Sequence, residues 1–423
     1  MKRVVASAFM ALALGGTAGA SDLAPVQALG KALFHDPDLS FNGNQACAAC
    51  HDPAYGFASP SETANAAGGV VEGSISGRFG SRRPPSAAYV SPAPVFHHSI
   101  EDGGVLFSGG AFLDGRATGH ALGNVAADQA RGPFLNPVEM AMPHAACVVQ
   151  RACANHELGA IWGEGICAIA FPAGLGDQCR TADASITIAD EDTAARIDRA
   201  FAAIARSIAA YEGSPEVNRF SSRFDRWQAG QAELSAVERA GFDLFTGKGM
   251  CAQCHVLDPG PNGEPALFTD FTHDNLGVPK NPENPWYRQT GFNPDGADWV
   301  DTGLAGFLAT DPVHDILAPA AAGKQKVASL RNVDARPAAD SPRAYMHNGY
   351  FKTLEGVVKF YNTRDVWPAC ESDLVPEAEA LAARCWPAPE VADNVNADEL
   401  GDLRLSDREE AALVAFLKTL TDE

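Results

Sequence analysis

Two pentapeptides of the same design stand far apart in the chain: Cys47-Ala48-Ala49-Cys50-His51 and Cys251-Ala252-Gln253-Cys254-His255. Thiols two residues apart reach the two vinyl groups of one porphyrin, and the histidine that follows is placed to ligate its iron. Each pentapeptide therefore reads as a covalent haem c attachment site. The chain is expected to carry two haem c groups, one held by Cys47, Cys50 and His51 and the other by Cys251, Cys254 and His255. Thiol redox or zinc pairs would not require the adjoining histidine twice.

The face opposite the proximal histidine decides what a haem does. An open face binds peroxide; a filled one only moves electrons. No histidine lies between His51 and His97, so the sixth position of the first iron is open unless His97 or His98 folds back over it.

Further along stand Phe112-Leu113-Asp114-Gly115-Arg116, then Gln129, then Asn136-Pro137-Val138-Glu139-Met140. With Cys50-His51-Asp52-Pro53, Ser329-Leu330-Arg331-Asn332-Val333 and Tyr345-Met346-His347-Asn348-Gly349, these make a set that resembles the bacterial dihaem cytochrome c peroxidase and MauG family over nearly the whole mature chain. The resemblance implies that Glu139 is the distal acid-base residue above the peroxidatic haem, with Gln129 at the family's interval before it. Cleaving an iron-bound peroxide needs a group that moves a proton from the inner oxygen to the outer one, and a carboxylate in an apolar pocket has the raised proton affinity that suits this.

The family's sixth ligand of the second haem lies fourteen residues after the histidine of the Tyr-x-His-x-Gly element, and that count from His347 gives Tyr361. Methionine there would imply the electron-transferring haem of the peroxidases. Tyrosine implies the MauG-like branch, which includes the methanobactin-associated dihaem enzyme, because an anionic phenolate favours the oxidised metal. Leu354, Val358 and Tyr361 also share a helical face, so an ordinary core tyrosine is the competing reading, with Met250 and Met346 as rival ligands.

The sequence departs from the family in three places. Leu113 stands where a tryptophan often lies between the haems, with extra residues between it and Gln129, and Gly249 replaces the tryptophan through which MauG passes holes to its partner. Trp227, Trp286 and Trp299 are the unranked alternatives for that exit. The family's interhaem calcium draws on an asparagine in an Arg-Asn-x-Pro segment and on carbonyls before the Tyr-x-His element. Here the segments read Arg82-Arg83-Pro84-Pro85 and Pro342-Arg343-Ala344, which leaves calcium an open cofactor beside the two haems.

Several elements must position these groups. Lys2 and Arg3, the apolar run Val4 to Leu14 and small residues to Ala20 predict a signal peptide over 1–20 and a periplasmic mature protein. No later stretch is long and apolar enough to span a bilayer. Six cysteines outside the haem sites predict three disulfides in that oxidising compartment. Cys370 is favoured with Cys385, and pairing among Cys147, Cys153, Cys167 and Cys179. The formal charge of -21 disfavours nucleic acid and anionic lipid as partners.

The length suits two domains, an N-terminal peroxidatic haem domain over 21–195 and a C-terminal electron-transfer haem domain over 196–423. Leu29-Gly30-Lys31-Ala32-Leu33-Phe34 and Ala240-Gly241-Phe242-Asp243-Leu244-Phe245 precede the two pentapeptides as a repeated helical end. Ile197, Phe201, Ile204, Ile208 and Tyr211 mark an interdomain helix, and Ser235 to Glu238 and Ser406 to Glu409 fit capping boxes. Strand-like alternation is scarce. The expected fold is mainly α: two cytochrome c-like haem domains with long loops and disulfide-bearing insertions.

The leading functional reading is a dihaem oxidoreductase that uses hydrogen peroxide to form a high-valent dihaem state and oxidises a tryptophan or tyrosine of a partner protein. The alternative within enzymes is a dihaem cytochrome c peroxidase drawing electrons from a small cytochrome or cupredoxin. A pure electron carrier, with both irons six-coordinate, is the reading from a different class.

Overall fold

The apolar stripe read from Ile197 to Tyr211 forms one side of a single long helix, Glu191–Glu212, started by Asp190, whose side chain accepts the Thr193 amide at 2.8 Å. All five stripe residues are buried, against helices Pro25–Phe34, Val125–Ala130 and Ala145–Asn155. This helix belongs to the first of two large hydrophobic cores, which holds mostly residues before Val217. The helix runs across residues 195 and 196 and packs within this first core.

The second core gathers residues from Phe224 onward around helices Ala236–Thr246, Leu354–Thr363 and Asp407–Lys418. The capping boxes at Ser235/Glu238 and Ser406/Glu409 are both formed.

Each core contains one very close helix crossing, and each crossing has a glycine in it. A Cβ on Gly30 would stand 1.8 Å from the Ser207 carbonyl oxygen, and one on Gly241 would stand 2.0 Å from the Ala412 carbonyl oxygen. The repeat seen in the sequence is therefore a repeat in packing. In both halves a short helix leads into a haem pentapeptide and is pinned backbone to backbone against a longer one.

The computed structural model describes residues 23–101 and 104–423, so the export signal read over 1–20 lies outside the described residues. The described chain is mainly helical, with two antiparallel two-stranded ladders, His97–Glu101 with Gly104–Ser108 and His273–Asp274 with Gln325–Lys326. Three disulfides close the loop insertions: Cys147–Cys179, Cys153–Cys167 and Cys370–Cys385. No described helix is long and apolar enough to cross a membrane.

Candidate active site

Both pentapeptides fold as one tight turn, Cys47–Ala49 and Cys251–Gln253, closed by the histidine amide donating to the first cysteine's carbonyl at 2.9 Å in each. His51 Nδ1 donates to the Phe57 carbonyl at 3.1 Å, and His255 Nδ1 to the Phe268 carbonyl at 2.8 Å. Phe57 and Phe268 both hold left-handed backbone conformations, with φ of 60° and 54°. Such conformations cost a side-chain-bearing residue on the order of 1–3 kcal/mol, and here both aim a carbonyl at an imidazole. Burial lowers the proton affinity of both imidazoles. Each is a neutral ring whose Nδ1–H is spent on the backbone, leaving the Nε2 lone pair for a metal.

Both pentapeptides open onto one cavity of about 570 Å³, which is also lined by Gln129, Glu139, Arg116 and Tyr361. The residues fit two haem c groups. Their four thiols are the only cysteines outside disulfides, the imidazoles are oriented as ligands, and much of the remaining lining is apolar.

The Glu139 carboxyl is held in the Asn136–Met140 turn, where Asn136 Nδ2 donates to Glu139 Oε1 at 2.9 Å and the Glu139 amide donates to the Asn136 carbonyl at 3.0 Å. Burial raises its proton affinity, against the opposing pull of the Arg116 charge and the Asn136 hydrogen bond. Arg116 lies over the Phe112 ring, 3.6 Å from its centre, and donates to Asp114 at 2.8 Å. Gln129 comes from the short helix Val125–Ala130. His97 and His98 lie on the exposed hairpin and do not line the cavity, so neither folds back over the first site.

At the other end, helix Leu354–Thr363 delivers Tyr361 into the cavity near Cys251 and Cys254, and burial pushes the phenol's proton affinity well above its ordinary range. Met250 and Met346 line the same cavity. Leu113, at the position of the family's bridging tryptophan, is buried and lines the cavity.

In the segment considered for calcium, Arg83 Nε donates to the Met346 carbonyl at 3.1 Å and the Arg83 backbone amide to the His347 carbonyl at 2.8 Å. Burial, helped by the nearby Arg343 charge, pulls the pKa of Arg83 down to about 10. The Pro342 carbonyl is already taken by Asn65 Nδ2 at 3.1 Å.

Sequence reasoning missed a buried ionic cluster in the cavity wall, in which Arg82 bridges Asp114 at 2.5 Å and Asp301 at 2.6 Å. His347 Nε2 lies 3.7 Å from Glu390 beside it. The sequence marks Arg82 only as part of the segment considered for calcium, and nothing local pairs it with a residue so distant as Asp301.

The family model for di-haem cytochrome c peroxidase matches residues 25–233. The methylamine utilization protein MauG of Paracoccus denitrificans (strain Pd 1222) is 36% identical over 400 residues, covering 93% of this chain and 88% of that protein. The chain belongs to the di-haem cytochrome c peroxidase and MauG family. The family's cytochrome-c peroxidase IdrP1 of Denitromonas iodatirespirans is 29% identical over 79% of this chain and 72% of its own. Among solved structures, the diheme peroxidase BthA from Burkholderia thailandensis E264 superposes with a TM-score of 0.72 at 29% identity, covering 95% of this chain and 87% of that one. A MauG-like protein associated with microbial copper homeostasis shares the fold, with a TM-score of 0.57 at 22% identity over 95% of this chain and 91% of that one. As a member of this family the protein is a peroxide-dependent dihaem oxidoreductase.

Proposed function

We propose that the protein is a periplasmic MauG-like enzyme that spends the oxidising power of hydrogen peroxide on an aromatic side chain of a partner protein. One haem c would be held by Cys47, Cys50 and His51, and the other by Cys251, Cys254, His255 and Tyr361, one in each hydrophobic core. Bound iron supplies the two-electron reduction of peroxide. The chain's own residues do the rest. Glu139, steadied by Asn136 in a cavity that Gln129 also lines, moves a proton from one peroxide oxygen to the other. Burial raises its proton affinity, which suits the uptake of that proton. Tyr361 offers the second iron an anionic oxygen that favours its oxidised state.

The observation that carries this reading is the single cavity shared by Glu139, both haem pentapeptides and Tyr361. Adding one equivalent of peroxide to the diferric holoprotein, with no electron donor present, tests it by Mössbauer spectroscopy. Changed signals at both irons are expected; a change confined to one iron overturns it.

A second reading, peroxide reduction at the expense of a small cytochrome or cupredoxin, is favoured by Met250 and Met346 in the same lining. A methionine sulfur-to-iron charge-transfer band in the resting holoprotein would select it.

A further inference from the structure

Tyr361 stands at the head of a run of aromatic rings that ends at the protein surface. Its ring centre is 6.4 Å from that of Phe360, which lies 5.1 Å from Trp386, edge to face at 89°. Trp386 is buried and stacks on Trp367, with centres 5.3 Å apart and planes inclined by 16°. Trp367 is partly exposed and follows Val366, which is 56% exposed.

The stack is clamped. The Cys370–Cys385 disulfide joins the two strands of chain that carry the indoles, with Cys370 N donating to the Trp386 carbonyl at 3.0 Å and Trp386 N to the Pro368 carbonyl at 3.1 Å. Trp386 Nε1 donates to Thr363 Oγ1 at 3.0 Å, on the same helix as Tyr361. The disulfide-bearing insertion thus holds two readily oxidised side chains in fixed contact with the helix of the proposed ligand.

We propose that Trp367 and Trp386 are the electron entry route, carrying electrons one at a time from the partner's aromatic residue at the surface to Tyr361. The proposal rests on the MauG-like reading above. In each transfer Trp386 loses an electron inward, Trp367 refills it, and the partner refills Trp367 and releases a proton. Two transfers match the two electrons and two protons that turn one hydrogen peroxide into two waters. Tunnelling falls off exponentially with the gap, so rings in contact along the whole path favour this route.

The tryptophans suggested by the sequence are placed less well. Trp227 packs on Phe242 and Phe224 and does not line the cavity. Trp286 lines it and touches Trp299 at 5.9 Å, but its Nε1 has no partner among the described residues and it adjoins the Arg82–Asp301 cluster rather than the Tyr361 helix.

The test uses the holoprotein with peroxide and no partner, read by peptide mass mapping. With nothing to refill it, Trp367 should lose two electrons, take an oxygen atom from water and gain that mass, while the peroxide is consumed. Trp386→Phe should abolish the gain at Trp367 and leave uptake of the first peroxide equivalent unchanged, and Trp386→Tyr should restore it. Trp367→Phe, at the partly exposed end, guards against misfolding of the buried variant. Near-UV circular dichroism should show the coupled signal of the stacked indoles in the wild type and its loss in either Phe variant. Oxygen gained at Trp286 or Trp299 instead, or at Trp367 undiminished in Trp386→Phe, overturns the route while leaving the enzyme reading intact. Absence of peroxide uptake by the wild type overturns both.

Discussion

The carboxyl of Glu139 accepts a 2.9 Å hydrogen bond from the side-chain amide of Asn136, three residues earlier in the same turn. Asn136 also takes the Glu139 and Ala141 amides on its carbonyl, so one residue fixes both the backbone and the carboxyl of the proposed proton carrier. Glu139→Gln keeps the shape and removes the titratable group. Peroxide consumption should slow by about a hundredfold or more, with the resting spectrum of the second haem unaltered. Stopped-flow mixing with peroxide measures this, and a wild-type rate would remove Glu139 from the mechanism.

Tyr361 enters the cavity from a helix whose neighbouring side chains Leu354, Val358 and Phe360 are buried, so Tyr361→Phe should leave the fold in place. Covalent attachment through Cys251 and Cys254 should keep the haem bound. The resting electron paramagnetic resonance signal of the second iron should change, and the shared response of both irons to peroxide should be lost. An unaltered resting signal would mean that Met250 or Met346 is the ligand.

The sequence made the haem pentapeptides, the duplicated helical ends, the capping boxes and the Cys370–Cys385 pair legible because each is governed by short spacing. A CxxCH turn needs only five residues, and a capping box only four. The stacking of Trp367 on Trp386 was not legible, since it depends on a disulfide that folds separate segments together, although each tryptophan lies within three residues of one of its cysteines. Trp227, Trp286 and Trp299 were named instead because tryptophan is conspicuous in sequence while its contacts are not. The allegiance of helix Glu191–Glu212 to the first core was hidden for a similar reason: an apolar stripe says that a face is covered, not by which half. Arg83 illustrates a third limit: residue type flags a departure from the calcium pattern, and only the geometry shows its guanidinium bonded to the Met346 carbonyl.

Gly30 and Gly241 should both resist replacement. A methyl group at either would meet a carbonyl oxygen of the facing helix at 1.8 or 2.0 Å, and backbone on both sides prevents a cheap retreat. Gly30→Ala and Gly241→Ala should each destabilise by about 1–3 kcal/mol, the range for overpacking, despite alanine's better helix propensity. Thermal melts of the two holoprotein variants check this. Wild-type midpoints would show that the helices part without cost.

Glu377 links pH to the helix that carries Tyr361. Its Oε2 accepts the Lys352 amide at 2.7 Å, its Oε1 has no hydrogen-bond partner among the described residues, and that oxygen would lie 1.7 Å from a Cβ at Gly356 near the start of the helix. Burial pushes its pKa from 4.5 up to about 7. Below pH 4.5 the carboxyl is protonated in the folded and unfolded chain alike. Between 4.5 and 7 the unfolded chain gives up this proton while the folded one keeps it, so stability falls as pH rises, by at most about 1.4 kcal/mol per pH unit. Above 7 the loss is complete. Glu377→Gln should therefore match the wild type near pH 4 and exceed its thermal stability at pH 8, the gap opening across that window. Melts of both proteins by circular dichroism across the range decide it: a constant difference between them would show that Glu377 carries no buried charge.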